Sequence, residues 1–401
     1  MRKVRIDGEI VVEKSSHEKL VANSPTGGWF PASRALTWIV NRRSLFPPHL
    51  VFSARLETVS VISSENTEGQ PPSIRSIVSA IPTSALRTLH VHHHFPWSFV
   101  DRQLSSVVSN CGSSLTTFLS MVPLEAQAVA HLVQLPDLHT LTIASEPPFD
   151  LDPPFDPDLP LDPGLHFDGV PLPHVFPPLT TFTIGTAGVA QRWLTLFKLL
   201  EASVSAPGGV TPVSRIKKSL RTLNVQDPSC LIDASFASPI QMFRSLVHLN
   251  IGARCCAALG CAFKLNDNDI AELTMALHQL EHFSLGEPCA RNTCATTVAC
   301  LLFFSVHCVR LRELTVHFNT TNIVNDFNRV LEGPRFRELR SLPRCPLMDF
   351  DAHSMPLLLD EPDFETVVSG MVNIFPSLYK CSGAETGWEE LSMKISQFSG
   401  A

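Results

Sequence analysis

Apolar and polar positions alternate along this chain in a short pattern that returns nine times. It is cleanest in "LRELTVHF" at 311–318, and it recurs as "LEHFSLGE" at 280, "LVHLNIGA" at 246 and "LRTLNVQD" at 220. Further upstream stand "LTTFTIGT" at 179, "LHTLTIAS" at 138 and "LRTLHVHH" at 86, with looser copies "LTTFLSM" at 115 and "LETVSVIS" at 56. The leading leucines are Leu56, Leu86, Leu115, Leu138, Leu179, Leu220, Leu246, Leu280 and Leu311, separated by 30, 29, 23, 41, 41, 26, 34 and 31 residues. In L-x-x-L-x-[VIL] the fourth and sixth positions differ by two, so on a strand both side chains point to one face. In "LRTLHV" that places Leu89 and Val91 inward and Thr88, His90 and His92 outward. One such strand buries too little to be stable alone, whereas nine stacked in parallel build a continuous sheet.

The segments between the strands predict helices. "LNDNDIAELTMALHQL" at 265–280 spaces Ile270, Leu273, Leu277 and Leu280 by three and four, one apolar stripe of a helix. Asn266 or Asp267 serves as its N-cap, and Asp269 lies in the first turn, where the helix dipole favours an acid. "NTCATTVACLLFFSVHC" at 292–308 reads likewise, with Val298, Leu301, Leu302, Ser305 and Val306 inward. The unit is strand, turn and helix, with right-handed crossovers. Repetition at this period identifies an α/β leucine-rich-repeat solenoid of about nine irregular repeats. A doubly wound α/β domain explains alternating strands and helices, but not the leucine recurring three residues before each strand core.

Three stretches depart from the cadence. Residues 1–45 mix Pro, Gly, Ser and charge, and are expected to be a poorly ordered lead-in, with Trp29, Phe30, Leu36 and Trp38 packing on the first repeat. The solenoid is expected over 46–395. Residues 146–178 hold eleven prolines, seven acidic residues and no Lys or Arg, and so carry all of the chain's net charge of −7. Such a composition predicts a disordered loop. At the far end, Val367, Val368, Met371 and Phe375 fall at helical spacing, and with "WEELSMKISQF" they predict a helical cap over about 363–395.

Bulk properties narrow the function. The chain has 401 residues, 44% of them hydrophobic and 17% charged, a globular composition. Its net charge of −7 argues against a general nucleic-acid binder. No secretory signal opens the sequence, and the longest strongly apolar stretch, 297–309, is too short to span a bilayer. Eleven scattered cysteines fit reduced thiols in the cytoplasm or nucleus.

Candidate chemistry is sparse. Cys289, Cys294, Cys300 and Cys308, like Cys255, Cys256 and Cys261, lack the paired spacing of a zinc site. "HVHHHF" at 90–95 has no carboxylate or cysteine nearby and reads as a polar strand face. Cys111, followed by Gly112, and His131 resemble a thiol nucleophile with its base, but any chain with sixteen histidines offers such pairs. No P-loop, dinucleotide turn or hydrolase elbow occurs. The reading is therefore a non-enzyme without catalytic, metal or cofactor residues, binding a protein target and neither nucleic acid nor membrane. Its candidate partner-binding positions are the outward ones, lined up on a concave wall: Thr88, His90, His92, Thr140, Thr142, Thr181, Thr183, Thr222, Asn224, Gln226, His248, Asn250, His282, Ser284, Glu313, Thr315 and His317.

The second half carries a resemblance. "LNDNDIAELTMALHQLEHFSLGEPCARNTCATTVACLLFFSVHCVRLRELTVHFNTTNIVNDF" resembles the leucine-rich-repeat region of the F-box-like family of mushroom-forming (basidiomycete) fungi. "LPRCPLMDFDAHSMPLLLDEPDFETVVSGMVNIFPSL" and "GWEEL" are similar to that family's C-terminal end, and "SLFPPHLVFSARLETVSV" resembles its first repeat. The resemblance is specific over about 245–395 and weaker back to about 45. It implies a substrate-recognition subunit of a cullin-type ubiquitin ligase, in which the repeats hold the target and an F-box docks the ligase adaptor. Residues 1–45 depart from that pattern, with no Leu-Pro opening and no helical apolar spacing. The adaptor is thus implied as a partner only if an F-box exists upstream. The alternative is a stand-alone repeat scaffold with no ligase role.

Overall fold

A computed structural model describes residues 3–7, 19, 30–40, 51–63, 72–92, 100–122, 124–144, 178–185, 212–226, 232–252, 263–285, 294–339, 345–352, 357, 359–383 and 386–399. The chain divides into two compact units, Met1–Thr186 with Val210–Ile216, and Ala187–Gly209 with Lys217–Ala401. Most of the 146–178 loop, with Trp29, Cys255, Cys256, Cys261, Cys289, His93 and His94, lies outside the described residues.

Among the described residues the first unit holds a parallel sheet of seven strands in sequence order: β1 Lys3–Asp7, β2 Ala35–Val40, β3 Thr58–Ser63, β4 Thr88–His92, β5 Thr117–Ser120, β6 Thr140–Ala144 and β7 Thr181–Gly185. Helices α1 Pro72–Ser79, α2 Val100–Ser109 and α3 Ala126–Leu132 return between strands. Helix α4, Pro212–Ser219, carries the boundary between the units. Among the described residues the second unit holds six parallel strands: β8 Thr222–Val225, β9 His248–Ile251, β10 His282–Leu285, β11 Glu313–Thr315, β12 Asp349–Asp351 and β13 Lys380–Ser382. Its helices are α5 Ala234–Ile240, α6 Asp267–Ala276, α7 Ala299–His307, α8 Ile323–Glu332, α9 Pro334–Leu339, α10 Glu361–Ile374 and α11 Thr386–Ser399. Each unit is thus a run of leucine-rich-repeat strand–helix coils, an α/β solenoid fold.

The repeated leucine is what fixes each coil. All nine are at most 1% exposed, and burying one such side chain stabilises by roughly 1.5–3 kcal/mol. Leu246, Leu280 and Leu311 each donate their N–H to the carbonyl three residues earlier, which ends a turn and aims the chain into the strand. The next two N–H groups then share one carbonyl of the preceding coil. Val247 and His248 both donate to Arg221, Glu281 and His282 to Val247, and Arg312 and Glu313 to Glu281. The same device recurs in the first unit, where Arg87 and Thr88 donate to Glu57, and Thr116 and Thr117 to Arg87.

Inward rows run straight across the strands. Leu36, Val59, Leu89, Phe118, Leu141 and Phe182 are in register in the first unit, and Leu223, Leu249, Phe283, Leu314, Phe350 and Cys381 in the second. All are buried, and they meet the helices: the Phe283 ring lies 4.7 Å from that of Phe304 on α7. Ser120 takes a sixth position in β5, which explains the looser copy at 115. Its hydroxyl donates to the Val122 carbonyl at 2.7 Å and accepts from the Val122 N–H at 2.9 Å, satisfying a buried polar group within a turn.

The helices follow the expected apolar stripes with shifted ends. Helix α6 is capped by Asn266, whose side chain accepts from the N–H groups of Asn268 and Asp269 while Asp269 accepts from Asn266 N–H, a reciprocal capping box. Asp267 is not the cap. It reaches to the next coil, accepting from Thr297 N–H at 2.8 Å and from the Thr297 hydroxyl at 2.6 Å. Helix α7 begins only at Ala299, and Phe304 rather than Val306 is buried on it.

Two expectations are corrected. The stretch 1–45, expected to be a lead-in without repeat character, supplies β1 and β2 in register with β3, and Leu36 and Trp38 form the inner face of β2. The cadence is hidden there because Ser33 stands where a leucine would, its hydroxyl donating to the Ala35 carbonyl. The C-terminal region contains helices α10 and α11 at the expected places, but it also carries β12 and β13. Leu347 and Leu378, both 0% exposed, lead these strands, whose cores are Phe350 and Cys381 instead of leucines. Trp388 on α11, also fully buried, packs 5.8 Å from the Phe350 ring and closes the core beneath β12.

A polar strand face as candidate binding surface

The face of each sheet opposite the helices carries the residues singled out from the sequence. In the first unit Thr58, Thr88, Thr117, Thr140 and Thr181 stand in one register row. Beside it run Ser60, His90, Leu119, Thr142 and Thr183. His92 is half-buried at the end of β4, and burial lowers the pKa of His90. Thr142 is corrected: it is only 8% exposed, because Leu119 and Thr183 flank it at strand spacing and cover it.

In the second unit two rows cross the sheet. The first is Thr222, His248, His282, Glu313, Asp349 and Lys380, and the second is Asn224, Asn250, Ser284, Thr315, Asp351 and Ser382. Over β8–β11 these rows line a shallow groove of ≈ 300 Å³, whose base is the sheet itself at Leu249 and Phe283. Gln226, exposed, lies just beyond β8 and is not part of the lining.

The first row is electrostatically graded. The imidazoles of His248 and His282 stack with centroids 4.4 Å apart, and His282 Nδ1 lies 2.9 Å from Glu313 Oε2. That contact makes Nδ1–H the donor in the neutral ring and leaves Nε2 an acceptor. Burial, and then the neighbouring His282, hold the His248 pKa below its ordinary value, while Glu281 and Glu313 pull it up. At the far end Lys380 Nζ lies 2.6 Å from Asp349 Oδ2, and this hydrogen bond, reinforced by the charge, raises the lysine's pKa.

His317 is the second correction. Outward alternation holds only while the strand stays extended, and β11 ends at Thr315. Val316, His317 and Phe318 are then all buried, and the His317 ring packs 5.0 Å from Phe263. Asp349, Asp351, Lys380 and Ser382 were missed, although "DFD" and "KCS" follow Leu347 and Leu378 at the same two-residue offset as every other strand.

The thiols among the described residues are buried, and burial disfavours their thiolate forms. Burial pushes Cys111, Cys345 and Cys381 each up to about 12, and drives Cys300 well above its ordinary value, helped by Asp267. His131 hydrogen-bonds the Cys111 carbonyl at 2.9 Å, not its thiol. Among the described residues no group of three or more His, Cys, Asp or Glu could hold a metal ion, and no helix is long and apolar enough to cross a membrane.

No protein-family model matches the chain, and no curated protein matches it. Among solved structures it is similar to an internalin from Listeria monocytogenes, with 12% sequence identity over 97% of this chain and 84% of that one, at a TM-score of 0.41. The fold assignment stands on the strand ladders and buried leucines described above.

Proposed function

We propose that the chain is a protein-binding repeat module that recognises its target through the polar strand face, as the substrate-recognition part of a cullin-type ubiquitin ligase. The observation that supports target binding is the groove over β8–β11. Side chains from four strands, far apart in sequence, converge there as hydrogen-bonding groups on one face of the sheet. Support for the ligase role comes from the resemblance of residues 245–395 to the fungal F-box-like family. A second reading, a stand-alone scaffold without ligase role, is favoured by β2, because Ala35–Val40 serves as a strand of the sheet and not as part of a helical docking segment.

The test is affinity capture from cells of a mushroom-forming fungus, comparing the full chain with Asn250→Arg and Thr315→Arg variants. The expected result is a target retained by the wild type and lost from both variants, with the ligase adaptor in the same eluate. A target without the adaptor moves the assignment to the stand-alone scaffold. Capture that is indifferent to both substitutions refutes the groove.

A further inference from the structure

The groove's chemistry points to a particular kind of occupant. We infer that it takes an extended peptide segment laid across β8–β11, with one Lys or Arg side chain set against Glu313. The inference rests on the binding reading above and names the partner class for that surface.

Three observations carry it. First, length: four strands at about 4.8 Å spacing span about 14 Å, which matches about four residues of extended chain. Second, hydrogen bonding: an extended segment has main-chain N–H and C=O groups to satisfy. The Asn250 carboxamide and the Ser284 and Thr315 hydroxyls each offer both donor and acceptor, one per strand in one row. Third, charge: the other row is rich in acceptors. The stacked imidazoles present ring edges, the Nδ1–H of His282 is already given to Glu313, and Glu313 itself is 63% exposed. No Lys or Arg lines the groove, and Asp349 follows Glu313 on the next strand. A donor-rich cation complements that row, and a carboxylate or phosphate is repelled by it.

The experiment pans a phage-displayed library of random eight-residue peptides against the immobilised full chain. The selected peptides are then synthesised and titrated against wild type, Glu313→Gln, Asn250→Arg and Thr315→Arg, with Glu389→Gln on α11 as the control and thermal melts to verify folding. The expected result is a shared Lys or Arg among the selected peptides, affinity about fivefold weaker on Glu313→Gln, the scale of one exposed charge pair, and binding lost on either arginine variant. Peptides without a basic residue, or peptides that bind Glu313→Gln as tightly as wild type but fail on the arginine variants, overturn the basic partner and leave the groove as the binding surface. Peptides indifferent to all three variants overturn both readings. An empty selection overturns the peptide occupant, while variant-sensitive capture of a folded target still upholds the proposed function.

Discussion

The imidazole of His248 lies flat against that of His282, centroids 4.4 Å apart and planes 16° from parallel, at one register of neighbouring strands. Glu313 takes the Nδ1–H of His282 on the far side. Burial and the stacked neighbour both disfavour a proton on His248, so that ring is matched to its neutral form.

That arrangement predicts a pH dependence of stability. Burial and then His282 lower the His248 pKa from its ordinary 6.5, and burial lowers those of His90 and His307. A histidine whose folded-state pKa is depressed binds its proton less readily when folded. Its contribution is therefore full above pH 6.5 and is lost as pH falls through the unfolded-state value. Urea midpoints should drop between pH 7.5 and pH 5.5, and His248→Asn should flatten part of that drop. Identical pH profiles for wild type and variant would show that His248 is not coupled to folding.

Gly370 on α10 meets the ring of Phe327 on α8, and a Cβ built at Gly370 would overlap that buried ring. Helix propensity favours alanine over glycine by about 1 kcal/mol, but overpacking a filled core costs typically about 1–3 kcal/mol. Gly370→Ala should therefore lower stability in chemical denaturation, and the penalty should shrink in the Phe327→Leu background. A stabilised Gly370→Ala would mean that the two helices separate at little cost.

Leu280 leads one of the nine repeated strands, and Leu378 leads β13, which the cadence did not reveal; both are 0% exposed. If both coils belong to one construction, Leu280→Ala and Leu378→Ala should each cost about 2–5 kcal/mol. A much smaller loss for Leu378→Ala, measured by urea unfolding, would make the last coil a loosely attached appendage.

The nine strands with the cadence, two of them in looser form, were readable in advance because each is specified locally. A leucine, two polar residues and an apolar pair two apart determine where the turn ends and which face is buried. The cap of α6 was narrowed to Asn266 or Asp267 for the same reason, and the structure selects Asn266, paired with Asp269 within four residues. Strands escaped notice where Ser33 takes the leading place of β2, or where Ala352 and Gly383 stand at the sixth position behind Phe350 and Cys381, because the fold tolerates those residues while the L-x-x-L-x-[VIL] pattern does not contain them.

By itself the sequence determined the coil: strand positions, inward and outward faces, and the helical return. Tertiary structure decided which outward residues become neighbours, because register joins strands 23–41 residues apart, and lateral spacing is a property of the ladder, not of any one strand. It stacked His248 on His282, set Asp349 beside Lys380, and covered Thr142 between Leu119 and Thr183. It also turned His317 into the core, since alternation ends where the backbone stops being extended.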